Sequence, residues 1–195
     1  MADKNPPQPK SAAAAMKLLE RGNNNYVVDE LSHDYQGTER RVSLQKIQEP
    51  WAVVLSCADS RVVPELIFDC GLGQLFVVRV AGNIANTESI ASIEYAVANL
   101  PIQVIVVLGH EGCGAVSAAL SCKDKDAGLN LNMLLAQIQP AVAGMKKSQL
   151  TEAIEKNVKT AAAQLKERSE IIAGAKKVKI VPAIYRLKTG EVDYL

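Results

Sequence analysis

The sequence lacks long apolar runs. No run approaches the roughly 20 residues that a membrane-spanning helix requires. The first ten residues contain Asp3 and three prolines, where a secretion signal would have an apolar core. We therefore expect a cytoplasmic protein without a membrane partner.

A strong charge of one sign is also missing. The 195 residues carry a formal net charge of +1, and 22% of them are charged. Such a chain has no basic field to attract nucleic acid, so we expect no nucleic-acid partner. The hydrophobic fraction of 48% and the length suit one globular domain. We predict a flexible N-terminal tail over residues 1–10 and a single domain over residues 11–195.

Cysteine and histidine are few, with four cysteines by count and two histidines. In a reducing compartment, two cysteines that can reach a histidine indicate metal binding rather than disulfide formation. His110 has Cys113 close to it in the sequence, whereas His33 has no residue at ligand spacing. We expect His33 to be a solvated surface residue, and Cys70 and Cys122 to be free thiols.

The run at residues 51–62, WAVVLSCADSRV, begins as a buried strand and ends in three chemically potent side chains. Cys57, Asp59 and Arg61 stand at alternate positions. If the extended backbone continues past Ser56, these side chains lie on one face, because successive side chains of a strand alternate between faces. A thiolate, a carboxylate and a guanidinium then converge at the end of a strand, which indicates a functional site.

A second apolar run, residues 102–108, is followed at once by His110 and Cys113 among three glycines. Ligands of open parallel sheets bind beyond the carboxyl ends of the strands, so Cys57 can meet His110 and Cys113 there. Cys and His are typical zinc ligands, and three protein ligands rather than four are typical of a catalytic zinc. From these residues alone, an inert buried thiol at Cys57 is an open alternative.

Strand and helix patterns alternate along the chain, which predicts an α/β fold. Strands are expected at residues 51–56, 74–80, 102–108, 178–187 and 191–195. Helices are expected at residues 12–21, 42–47, 64–68, 87–100, 114–120, 129–139 and 150–165, the first of them ended by Gly22. We predict a mainly parallel central sheet of about four to five strands with an antiparallel C-terminal edge, flanked by helices. The helix that follows Cys113 is expected to lower the pKa of that thiol through its dipole.

Several stretches together resemble the β-class carbonic anhydrases. CADSRV and the later HEGC resemble the signature of that family, Cys-x-Asp-x-Arg followed by His-x-x-Cys. PELIFD, GLGQLFVVRVAGN, SIEYAVA and IVVLGHEGCGAV are also similar to the family in order and spacing, so the resemblance covers residues 48–120 closely. It implies a zinc lyase that hydrates carbon dioxide reversibly to bicarbonate and a proton, by attack of zinc-bound hydroxide.

The resemblance also implies how the site is built. The implied residues are the zinc ligands Cys57, His110 and Cys113, the catalytic pair Asp59 and Arg61, and the substrate-binding residues Gln48 and Gly82. One Zn²⁺ is expected per chain. The family builds its pocket across a two-fold interface, which implies a homodimer or a dimer of dimers with the N-terminal helix packed on a partner subunit.

Two other functions fit some of these features. A related hydrolase of carbonyl sulfide or carbon disulfide would use the same scaffold, although CADSRV favours the carbonic anhydrase pattern. A non-catalytic, zinc-stabilised binding protein is the other, and Asp59 and Arg61 disfavour it because a structural site needs neither. The branch of the family that bicarbonate inhibits has Trp three residues before the first Cys ligand, where this chain has Val54. The resemblance therefore does not extend to that form of regulation.

Overall fold

Strands and helices alternate along the chain in a computed structural model that describes residues 6–121 and 127–195. The strands are β1 (Ala52–Ser56), β2 (Leu75–Arg79), β3 (Val104–His110), β4 (Lys179–Tyr185) and β5 (Val192–Tyr194). The helices are α1 (Ala12–Val27), α2 (Thr38–Ser43), α3 (Pro64–Ile67), α4 (Thr87–Asn99), α5 (Gly114–Ser121), α6 (Leu129–Val142), α7 (Leu150–Glu167) and α8 (Glu170–Gly174). Short 3-10 helices lie at Ala81–Asn83 and Lys147–Gln149.

The strands form one sheet in the order β2-β1-β3-β4-β5. Strands β1 to β4 are parallel, whereas β5 pairs antiparallel with β4. All residues of β1 and β3 are buried, which explains their continuous apolar sequences, because parallel strands are covered on both faces. The predicted fold class, with its antiparallel C-terminal edge, is confirmed.

Helices cover both faces of the sheet. On one face, Leu55 of β1 belongs to an apolar cluster with residues of α4 to α7. On the other face, Val54 belongs to a cluster with Leu19 of α1 and Ile67 of α3. Ser56 at the end of β1 is in register with Leu108 near the end of β3. The residues that follow these two strands are therefore brought to the same edge of the sheet.

Helix α1 is longer than its sequence predicts. It begins after Ser11, whose side chain accepts a hydrogen bond from the Ala14 N–H, and it continues through Gly22 to Val27. Gly22 does not end the helix; it allows a close approach to another segment. A Cβ at Gly22 would lie 1.9 Å from the carbonyl oxygen of Phe68. Glycine is required there because of a tertiary contact, which the local sequence does not reveal.

Buried Asn23 fixes α1 onto its own subunit. Its Nδ2 donates hydrogen bonds to the carbonyls of Ile67 and Gly190, and its Oδ1 accepts one from the Val192 N–H. These bonds connect α1 to the end of α3 and to the β4–β5 hairpin. The predicted packing of α1 on a partner subunit stays a prediction for the outer helix face, which borders a groove beside β4 and β5.

Other boundaries differ more modestly from the prediction. Helix α2 lies earlier than residues 42–47, α8 was not predicted, and β3 extends to His110. Gln8 donates a hydrogen bond to the Glu49 carbonyl, whereas the flexibility of residues 1–10 stays a prediction. Within residues 6–121 and 127–195, no helix is both long and apolar enough to cross a membrane.

The residues expected to take no part in the site are placed as follows. His33 is exposed, as predicted. Cys70 is a free thiol, and burial is the main reason that its pKa is raised to about 12. It is therefore protonated and unreactive at neutral pH. Cys122 lies outside the described residues.

Candidate metal centre

Strand β1 ends at Ser56, and the chain turns shortly after it instead of continuing as a strand. The Asp59 carboxylate accepts a hydrogen bond of 3.0 Å from the Arg61 N–H. The Asp59 carbonyl accepts another of 3.0 Å from the Val62 N–H. Such turns form because an Asp side chain can bond the backbone two residues further on. The predicted strand-like alternation beyond Ser56 is therefore wrong, although the Arg61 side chain still returns to Asp59.

Arg61 holds the Asp59 carboxylate at two points. Its Nε donates to Oδ1 at 2.9 Å and its Nη2 donates to Oδ2 at 2.8 Å. This side-chain hydrogen bonding is the main reason that the pKa of the Asp59 carboxyl lies well below its usual range. Asp59 is therefore ionised at neutral pH. Its Oδ2 lies 3.9 Å from Nε2 of His110, beside the candidate ligands.

His110 is the last residue of β3, and its side chain is completely buried. Its Nδ1 lies 2.9 Å from the carbonyl oxygen of Glu111, which can only accept, so Nδ1 carries the proton. In the neutral ring, Nε2 then carries a lone pair. Among the described residues this buried atom has no hydrogen-bond partner. A buried acceptor without a partner is unfavourable unless a ligand satisfies it.

Two cysteine sulfurs lie beside the His110 ring. Cys57 follows β1, Cys113 precedes α5, and both are buried free cysteines. The two sulfur atoms and a ring nitrogen of His110 all lie within 4.8 Å of one another. The structure thus brings together the three residues that the sequence predicts as metal ligands, which we call the Cys57–His110–Cys113 triad.

The two thiols of the triad affect each other's pKa in opposite directions. The hydrogen bond with Cys113 is the largest effect on Cys57, and it lowers the pKa of that thiol against the opposing effect of burial. The same hydrogen bond raises the pKa of Cys113. Backbone N–H groups at the start of α5 do lower the pKa of Cys113, as predicted, but the hydrogen bond with Cys57 and burial outweigh them, so the pKa is raised overall. A divalent cation would favour both thiolates, because a thiol that coordinates a metal ion is deprotonated.

Arg79 was missed by the sequence analysis. It is the last residue of β2, and its Nε donates to the Cys57 carbonyl at 3.2 Å while its Nη2 donates to the Asp59 carbonyl at 2.7 Å. These bonds hold the turn that carries both side chains. Its partners are backbone atoms on a neighbouring strand end. The only sequence feature that pointed to it was a charged residue at the end of an apolar run.

Gly82 lies in the 3-10 helix after β2, and its N–H donates to the Cys57 Sγ at 3.3 Å. Its φ of 76° favours glycine, and a Cβ would also have to displace Cδ1 of Ile138, which would lie 2.7 Å away. This contact is with the candidate ligand, and the predicted contact of Gly82 with substrate stays a prediction. Gln48 is exposed in the loop after α2, and its predicted substrate contact also stays a prediction.

The fold and the site together define a class of protein. A buried triad of two sulfurs and one imidazole lies at the carboxyl edge of a mainly parallel sheet, with an ionised carboxylate beside it. Three protein ligands leave a coordination position for water or substrate. The arrangement is therefore that of an α/β metalloenzyme, and its donors fit a metal ion such as zinc.

Comparison with known proteins identifies the family. The family model described as carbonic anhydrase matches residues 52–192. The chain is 41% identical over 189 residues to a carbonic anhydrase of Mycolicibacterium smegmatis, with 92% of this chain and 91% of that protein covered. It is 39% identical over 186 residues to carbonic anhydrase 2 of Mycobacterium tuberculosis, with 91% and 89% covered.

Solved structures share the fold. A Coccomyxa β-carbonic anhydrase superposes with a TM-score of 0.72 at 23% identity, with 96% of this chain and 87% of that chain covered. A tetrameric β-carbonic anhydrase of Sordaria macrospora superposes with a TM-score of 0.71 at 21% identity, with 93% and 96% covered. The chain belongs to the β-class carbonic anhydrase family. The resemblance and the enzyme class predicted from the sequence are confirmed.

Proposed function

We propose that the chain binds one zinc ion through Cys57, His110 and Cys113 and uses it to hydrate carbon dioxide reversibly to bicarbonate and a proton. The observation that carries this proposal is the lone pair of His110 Nε2, which lies buried beside two thiols without a partner among the described residues. A metal ion satisfies that lone pair and binds both sulfurs as thiolates. Two thiolates and one imidazole suit zinc among the common biological metals.

The residues around the triad have separate roles in this reaction. When bound, zinc supplies a Lewis acid that makes a water-derived nucleophile available near neutral pH, an effect known from carbonic anhydrases themselves. Ionised Asp59, whose Oδ2 lies 3.9 Å from Nε2 of His110, would accept a hydrogen bond from such a nucleophile and orient its lone pair towards carbon dioxide. Arg61 holds the carboxylate by two hydrogen bonds and so keeps it from occupying the substrate position.

The Asp59–Arg61 pair favours catalysis over a purely structural metal site. A structural zinc site is closed by four protein ligands and gains nothing from an oriented carboxylate beside it. Here the side chain of Asp59 is 18% exposed and that of Arg61 is 56% exposed, so the pair lies where substrate can arrive from solvent.

We further propose a homodimer or a dimer of dimers, in which Gln48 reaches the substrate site across the interface. The Sordaria macrospora relative is tetrameric. In a single chain, Val42 near the end of α2 and Ile47 next to Gln48 are 53% and 57% exposed. Apolar side chains this exposed on one short segment favour burial against another surface.

Zinc content and carbon dioxide hydration, measured on the same samples of wild type and Cys113→Ser, test this proposal. We expect one zinc per wild-type chain and the loss of most zinc and hydration in the variant, because two of three ligands do not hold the ion. Cys70→Ser is the matched control, since Cys70 is a buried thiol outside the triad, and it should keep both. Full zinc and hydration in Cys113→Ser would refute the ligand assignment. A zinc-loaded wild type that consumed carbonyl sulfide or carbon disulfide but not carbon dioxide would identify the other hydrolase.

A further inference from the structure

Asn157 is a buried polar residue of α7, far along the chain from the stretches that carry the family signature. The residue is 3% exposed, and the other buried residues of α7 are apolar. Its Nδ2 donates a buried hydrogen bond of 2.9 Å to the carbonyl oxygen of Gly82. Burying an amide in a core is unfavourable unless its hydrogen bonds serve a purpose. The bond to Gly82 is therefore the feature that justifies a polar residue at this buried position.

Gly82 is held by hydrogen bonds on both sides of its Cα. Its N–H donates to the Cys57 Sγ at 3.3 Å, and its carbonyl accepts from Asn157. Glycine has the largest backbone freedom of all residues, so Gly82 does not fix the direction of its own N–H. The backbone here has a φ of 76°, in the left-handed region that favours glycine. Asn157 therefore fixes the residue that aims an N–H at a candidate ligand sulfur.

Helix α7 contacts the site at a second, adjacent point. Gly109 of β3 precedes His110, and a Cβ at Gly109 would lie 2.3 Å from Cγ2 of Val158. Two successive residues of α7 thus contact the surroundings of the triad: Asn157 bonds the glycine whose N–H reaches the Cys57 sulfur, and Val158 packs on the strand that carries His110. One contact is polar and directional, and the other is close packing.

We propose that Asn157 is a positioning residue of the metal centre, which acts through Gly82 to keep an N–H hydrogen bond on the Cys57 sulfur. The inference rests on the proposed role of Cys57 as a zinc ligand. A hydrogen bond from the backbone to a thiolate disperses its negative charge and fixes its orientation, so it affects how tightly the metal is held. Groups that orient metal ligands in this way typically change metal affinity by about 10- to 100-fold when they are removed.

The test compares Asn157→Ala with the wild-type protein by zinc affinity, measured in competition with a chelator, and by the sulfur-to-cobalt absorption band of the Co²⁺-substituted protein. We expect zinc to bind about 10- to 100-fold more weakly and the band to shift, because the Cys57 sulfur loses an oriented N–H. Asn157→Leu fills the buried space with a side chain of the same branching but no amide, and it should show the same changes if the alanine variant does not fold. Leu165→Val is the control, since it loosens the packing of fully buried Leu165 on α7 without contacting Gly82.

The results of these experiments distinguish a failure of the role proposed for Asn157 from a failure of the proposed zinc site. If both Asn157 variants lose thermal stability but bind zinc within about twofold of wild type with an unchanged band, Asn157 only satisfies the Gly82 carbonyl and the inference is wrong. If Leu165→Val weakens zinc as much as Asn157→Ala at equal stability, the effect is general loosening and the inference is also wrong. If the wild type itself binds no zinc, or Cys57→Ser binds it normally, the proposed ligand set fails instead.

Discussion

The orientation of the Asp59 carboxylate depends on one side chain, that of Arg61. Arg61 makes two side-chain hydrogen bonds to it, and a backbone hydrogen bond from Arg61 completes the turn. The same contacts hold the pKa of Asp59 below its usual range. Without Arg61 this pKa should rise towards the ordinary value for Asp of about 3.9, at which the group is still ionised at pH 7. Arg61 therefore controls where the charge of Asp59 lies, and not whether it exists.

For Arg61→Ala we expect zinc to stay bound while hydration falls by about 100-fold, the usual scale when a positioning contact is lost. The freed carboxylate is then available as a further ligand to the metal. Because Asp59 stays ionised, the loss should be equal at pH 6 and pH 9, which a pH series of hydration rates measures. Lys159→Ala removes an exposed cation of α7 and should change neither property. If Arg61→Ala hydrates carbon dioxide at the wild-type rate, the Asp59–Arg61 pair is only a surface ion pair without a role in catalysis.

At the scale of secondary-structure elements, Asn23 is a polar residue that connects α1 to the end of α3 and to the β4–β5 hairpin. Asn23→Ala removes three hydrogen bonds, two of them buried and one partly buried, and takes away the side-chain partner of two carbonyls and one N–H. We expect the free energy of unfolding to fall by about 3 kcal/mol. Asn24 is the next residue of the same helix and is exposed, so Asn24→Ala should change stability little. Urea denaturation of the wild type and both variants measures these changes. If Asn23→Ala is as stable as the wild type, α1 is not docked as described.

The elements that the sequence predicts well are those whose signal is local. Strands β1 and β3 are recognised by their apolar residues, because central parallel strands are buried on both faces. The end of α1 was missed because Gly22 is needed for contact with Phe68, and glycine at a helix end has the same appearance in a sequence. The turn after Ser56 was missed because an Asx turn and a continuing strand both accommodate Cys-x-Asp-x-Arg.

At the scale of the whole molecule, the site is assembled from segments that are distant in sequence. The Cys57–His110–Cys113 triad was predictable, because reactive residue types follow two strands whose ends share one edge. Arg79 and Asn157 were not predictable, because their partners are backbone atoms at sequence separations of 20 to 75 residues. Arg and Asn are common surface residues, and only the tertiary structure reveals that these two support the ligands.

The assembly proposed for the whole molecule makes hydration depend on protein concentration. If Gln48 acts across a subunit interface, dilution that yields monomers should lower hydration per chain while each chain keeps its zinc. Light scattering and hydration rates over the same dilution series provide the measurement. Gln48→Ala should lower hydration in the intact dimer, whereas Gln45→Ala, a change at an exposed Gln of the same segment, should not. A fully active monomer would refute the shared site.

The central claim is that two cysteine sulfurs and one histidine nitrogen of this chain hold a catalytic zinc. X-ray absorption at the zinc edge of the purified protein tests it most directly, because it counts the sulfur and the nitrogen or oxygen neighbours of the metal. We predict two sulfur neighbours at about 2.3 Å and two lighter neighbours at about 2.0 to 2.2 Å, one of them the His110 nitrogen and the other exchangeable. A zinc with no sulfur neighbour, or with four, would contradict the account.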